Sequence, residues 1–125
     1  MRSDPAYRYT ATIDRVIDGD TVVASVDLGF HVWLRNQTFR LLGLNARELT
    51  QPGGLEARDN LAAIVGPTVT LTSIKPDKYG GRMLAIITLT DGTDLTATLI
   101  ATGWAAAWDG AGLKPTPPWP RPSVE

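Results

Sequence analysis

The stretch LEARDNLAAIVGPTVTLTSI, residues 55–74, changes its period in the middle. Leu55, Leu61, Ala62 and Val65 are spaced for one face of a helix. Gly66-Pro67 closes that helix, since proline cannot continue it and glycine tolerates the left-handed exit. Thr68 to Ile74 then sets Val69 and Leu71 against polar threonines, the alternation of a half-buried strand. Upstream, Gln51-Pro52-Gly53-Gly54 is a break. Before it, Tyr7–Val16, Thr21–Leu28 and His31–Leu44 read as three strands, the third bent at Gly43. Downstream, Met83–Leu89 is a fifth strand, and Asp94 caps a second helix over Leu95–Thr102 that Gly103 ends. The chain is therefore mainly β with two helices, one of them between the third and fourth strands. That is the order of a five-stranded Greek-key barrel of the OB-fold type. Pattern alone fits a sandwich or an SH3-like barrel nearly as well.

Composition narrows the chemistry. The chain has 125 residues, 12 Lys+Arg against 13 Asp+Glu, one His and no Cys. This length suits one core, with no internal repeat. Without cysteine there is no thiol nucleophile, disulfide or cysteine-ligated zinc. With only His31, expected in a strand as a partly exposed residue, no histidine-rich metal centre can form. Catalysis would rest on carboxylates, Arg, Lys, Tyr or an oxygen-ligated metal. The net charge of −1 excludes nucleic-acid binding through global positive charge.

Three clusters carry possible chemistry. Asp18-Gly19-Asp20-Thr21 reads as a hairpin turn, and its carboxylates also suit a hard cation. Thr38-Phe39-Arg40-Leu41-Leu42, leading to Asn45-Ala46-Arg47-Glu48, puts an arginine inside an apolar strand, where burial requires an anionic partner. Asp77-Lys78-Tyr79-Gly80-Gly81-Arg82 reads as a turn with charged ends.

Taken in order, Ile17-Asp18-Gly19-Asp20-Thr21-Val22, Thr38–Leu42 with Glu48, and Asp77–Gly80 with Arg82-x-Leu84-Ala85 closely resemble the staphylococcal (micrococcal) nuclease, or thermonuclease, family. The likeness spans about residues 8–108. It implies an OB barrel with helices and a calcium-dependent endonuclease, indifferent to the sugar, that cuts DNA and RNA to leave 3′-phosphate and 5′-hydroxyl ends. It further implies Asp20 as a calcium ligand, with Asn45 at the place of a second ligating Asp, the Ala46 backbone carbonyl as another ligand, and Asp18 behind them. Glu48 would orient or deprotonate the attacking water, and Arg40 and Arg82 would clamp the phosphate. Tyr79, with Lys78 beside it, would contact the nucleotide's phosphate end, and Trp108 would lie near the base.

This chain departs from the family pattern in two places at the site. Asn45 stands where a carboxylate is usual, which predicts weaker calcium binding. The extra glycine in Gly80-Gly81-Arg82 must be absorbed in the turn if Arg82 is to keep its face. Strict alternation puts Arg40 and Asn45 on opposite faces, so a bend near Gly43 must reconcile them. Residues 7–108 form the expected domain, and residues 109–125 a Pro-rich extended tail packing Trp119 in place of the family's further helix. Trp104 reads as core. No segment has the apolar length of a membrane span, and Met1–Tyr9 lacks a signal-peptide core, so a cytoplasmic monomer is expected. A catalytically silent module of the same fold, binding nucleic acid or protein, is the competing reading. A plain OB single-strand binder would want more exposed aromatics and more positive charge.

Overall fold

A computed structural model describes residues 7–76, 81–108 and Pro115. Strands β1 (Tyr7–Asp18), β2 (Thr21–Asp27) and β3 (Trp33–Leu41) run as an antiparallel meander. A short β4 (Leu44–Ala46) leads to helix α1 (Gly54–Val65), then β5 (Thr68–Pro76) and β6 (Met83–Thr88). Helix α2 (Leu95–Ala101) and the short β7 (Ala105–Ala107) complete the described elements. Five strands close into a barrel in the order β1-β2-β3-β6-β5, with β5 returning to β1. The β3–β6 pair is parallel and the others are antiparallel. This is the OB-like barrel with two helices that the element order predicts.

Alternation explains the interior. Val22, Ala24 and Val26 of β2 face Phe39 and Leu41 of β3, with Leu71 and Ile87 filling in from β5 and β6. Bulges bend β1 against β2 and β2 against β3, which a small closed barrel needs. Ser25, almost fully buried, sits where they meet. Its hydroxyl donates to Asp14 Oδ2 at 2.7 Å and accepts the Asn36 N–H at 3.4 Å, and Asn36 takes φ 57°. Asp94 caps α2 as expected, accepting the Ala97 N–H at 3.2 Å, and Gly103 exits at φ 83°.

Three details differ from the sequence expectation. The third strand ends at Leu41. Gly43, at φ 94°, turns the chain, and Leu44–Ala46 pairs with Ala105–Ala107 in a separate two-stranded sheet. His31 lies in the β2–β3 turn at φ 63°, exposed, because the chain reverses before Trp33. Helix α1 buries Gly54, Ala57, Leu61 and Val65, while Leu55 and Ala62 face outward, so the contact stripe lies to one side of the one expected. Lys78, Tyr79 and the Pro-rich tail, apart from Pro115, lie outside the described residues. Among the described residues no helix is long and apolar enough to cross a membrane.

Candidate active site

The Asp18-Gly19-Asp20-Thr21 segment is the β1–β2 hairpin, with Asp18 paired to Thr21. Thr21 in turn pairs with Arg40 on β3, and that register brings Asp20 beside the arginine. Asp20, Arg40 and Asn45 are 7%, 9% and 6% exposed, a buried polar knot.

Its bonds are specific. Arg40 Nη2 lies 3.3 Å from Asp20 Oδ2 and 3.4 Å from Asn45 Oδ1, while Nη1 donates to the Leu41 carbonyl at 3.2 Å. Asp20 Oδ2 also accepts the Ala46 N–H at 3.1 Å, and Oδ1 accepts the Thr21 hydroxyl at 2.9 Å. Asn45 Nδ2 donates to the Pro115 carbonyl at 3.0 Å, which fixes the amide with its oxygen toward Arg40. Trp108 bounds the arginine, its ring centroid 5.6 Å from Cζ, and the Trp108 backbone N–H donates to the Gly43 carbonyl. A buried arginine satisfied in this way is fixed in position, as recognition of a planar anion requires.

Asp18 accepts the Asp20 N–H at 3.1 Å. Burial, then the neighbouring Asp20 carboxylate, pushes its own carboxyl up to about 6. Two acids therefore crowd one corner beside the Arg40 guanidinium. The donors that gather here are oxygens, a carboxylate and an amide carbonyl converging on the same nitrogen, and they fit a hard cation in kind. They supply fewer side-chain carboxylates than a dedicated cage. Among the described residues no three His, Asp or Glu side chains come together as one. Backbone and amide oxygens would have to complete the shell.

Glu48 stands exposed in the turn between β4 and α1. Its N–H donates to Gln51 Oε1 at 2.7 Å and its carbonyl accepts the Gln51 N–H at 2.9 Å, a closed loop that holds the backbone. Gly54 packs so tightly against the Glu48 carbonyl that there is no room for a Cβ. Arg82 directly precedes β6. Arg40 is in register with Leu84, and alternation carried one step back from Leu84 puts Arg82 on the Arg40 face. Gly81, just before Arg82, takes φ 72°.

Asp18, Asp20, Arg40, Asn45, Ala46 and Trp108 are thus brought together. Thr21 and Gly43, expected only as turn and bend residues, join them, as does Pro115, which had not been singled out. Thr21 had a signal in its place after Asp20, and Pro115 had none.

No family model matches the chain. Over 95 residues, 75% of this chain, it is 33% identical to a protein of Escherichia coli O157:H7 named "Uncharacterized endonuclease". The match covers 56% of that protein, so the chain spans about half the length of the curated relative it resembles.

Proposed function

We propose that this chain is a calcium-dependent endonuclease of the thermonuclease kind, hydrolysing phosphodiester bonds of DNA and RNA to leave 3′-phosphate ends. The observation that carries the reading is the buried Asp20–Arg40–Asn45 knot, built from the β1–β2 turn and strands β3 and β4. The relative named an endonuclease supports the same class of activity.

Arg40 and Arg82 hold the non-bridging oxygens of the phosphate, Arg40 already fixed on its outer side by Trp108. As negative charge grows on the pentacoordinate phosphorus, the Arg40 guanidinium in its desolvated setting offsets it more strongly than it would in water. Glu48, exposed on a braced backbone, takes the proton of the attacking water. The new P–O bond forms as the bond to the 5′ oxygen breaks, and that oxygen takes a proton from solvent water to leave as the 5′-hydroxyl. Calcium, when bound, supplies two further positive charges at the phosphate and lowers the cost of forming the nucleophile. Asp20, the Asn45 amide oxygen and the Ala46 carbonyl would hold it, with Asp18 behind Asp20. Tyr79 and Lys78 would meet the terminal phosphate, and Trp108 the base.

The test is cleavage of single-stranded DNA with calcium, with chelator, and by Glu48→Gln. We expect no cleavage in chelator and a loss of about 10²–10⁴-fold in turnover for the variant. Activity that survives both ends the mechanism. Asn45, neutral where a second carboxylate would strengthen a cation site, favours a silent binding module, and absence of cleavage at any calcium concentration would establish that reading.

A further inference from the structure

The ends of β2 and β3 farthest from Asp20 and Arg40 form a hairpin tip with an unusual surface. Leu28, Phe30, Val32, Trp33 and Leu34 are all exposed there, Phe30 at 97%. Folding gains almost nothing from an aromatic ring so placed. Phe30 is moreover held at φ 55°, in a region that bulky residues seldom adopt. Arg35 lays its guanidinium 4.7 Å from the Trp33 ring centroid, forming a flat cationic platform. Beside the tip a groove of about 360 Å³ runs between Arg8–Thr10 of β1 and Asp27–Gly29. Among the described residues neither Arg8 nor Arg35 has an ion-pair partner. The local acid, Asp27, is turned to the Gly29 N–H.

The platform is in line with the active site. Val22 and Val26 point into the barrel opposite Phe39 and Leu34, which leaves Trp33, Thr38 and Arg40 on the outer face of β3. From Trp33 to Arg40 the strand covers about 23 Å at ~3.3 Å per residue. That suits a single strand of the ~4–16 nucleotides that an OB barrel engages. Exposed rings, stacked guanidinium and unpaired arginines together match the two faces of such a strand, apolar bases and anionic backbone.

We propose that the β2–β3 tip is an auxiliary site for single-stranded nucleic acid. Bases stack on Phe30 and on the Trp33–Arg35 platform, and Arg8 meets the backbone of the strand whose scissile phosphate lies at Arg40. The proposal rests on the phosphodiesterase reading for the direction of the strand, and on the tip alone for the stacking.

Binding of fluorescein-labelled dT16 and dT2 by anisotropy tests it, in a Glu48→Gln background with and without calcium. Phe30→Ala/Trp33→Ala should weaken dT16 by about 10–100-fold, stacking being worth ~1–3 kcal/mol per base. It should leave dT2, too short to reach the tip, unchanged, and Trp33→Phe should restore most of the affinity. Phe30→Ala alone, at a ring that packs on nothing, keeps the test free of folding loss and should show part of the effect. Equal dT16 affinity in the parent and double variant overturns the proposal, as does absence of dT16 binding in both calcium conditions. A double variant that loses only self-association, by sedimentation, assigns the tip to a second copy and also overturns it. Tip-dependent dT16 binding by a wild-type protein that cleaves nothing with calcium would refute the nuclease reading and leave this site standing.

Discussion

One nitrogen of Arg40, Nη2, is shared between Asp20 Oδ2 at 3.3 Å and Asn45 Oδ1 at 3.4 Å. An anion that draws the guanidinium outward must compete with both oxygens. A cation that enters between them must displace the guanidinium. Charge at this point is therefore balanced between the protein's own groups before any ligand arrives, and small changes in it should have measurable effects.

Asn45→Asp adds a carboxylate at that point and removes the donor to the Pro115 carbonyl. More ligand charge strengthens a calcium site, so calorimetric titration should show calcium binding about tenfold tighter or more. Unchanged or weaker affinity would mean that residue 45 does not face the cation.

Arg40→Met removes the Asp20 carboxylate's partner guanidinium and leaves it the Ala46 N–H and the Thr21 hydroxyl. Breaking a buried pair from one side costs about 3–5 kcal/mol. Urea denaturation should show a loss near the lower end, because those two donors remain. The double variant Arg40→Met/Asp20→Asn should lose less than the two single losses combined.

Asp18 gives a pH signature in the metal-free protein. Its folded pKa is about 6 against an ordinary 3.8, so the folded state binds the proton more tightly than the unfolded chain. The stability this contributes is fully present below about 3.8 and is lost as pH rises through 6. In chelator, wild type should therefore lose stability relative to Asp18→Asn between about pH 4 and pH 7. A parallel pair of curves over that range would show that burial of Asp18 carries no penalty.

Gly54→Ala should displace the Glu48 carbonyl, which lies where the new methyl would go. We expect a loss of about 1–3 kcal/mol in stability, and a fall in turnover larger than that for Leu55→Ala, an exposed neighbour. Equal turnover in the two variants would detach Glu48 from the chemistry.

Much of the barrel was legible because its strands alternate and its turns carry Asp-Gly or Gly-Pro. The conflict between Arg40 and Asn45 was legible too. Two-residue periodicity put them on opposite faces, and Gly43 at φ 94° resolves it by ending one strand and starting another. The β4–β7 sheet was not legible. Ala105–Ala107 has no alternation and weak strand preference, and it pairs only because β4 offers an edge. Nor was the tip. The sequence breaks the strands between Leu28 and His31, but does not show that the left-handed run Gly29, Phe30 and His31 carries the turn to Trp33 and leaves its apolar side chains exposed. The tie from Asn45 to Pro115 joins residues too distant in sequence for any local pattern to reveal.

The parallel β3–β6 pair has a further consequence. Arg40 and Arg82 come from segments separated by α1 and β5, and they share a face only once β6 docks on β3. Such a pairing has higher contact order than the β1–β2, β2–β3 and β5–β6 hairpins, so its loop-closure entropy favours its forming after them. A chain still being made, or one partly unfolded, would hold its acids and its first arginine without the second. The phosphate clamp proposed for the two arginines would then be a property of the finished barrel alone, and the proposed hydrolytic activity would count completed molecules.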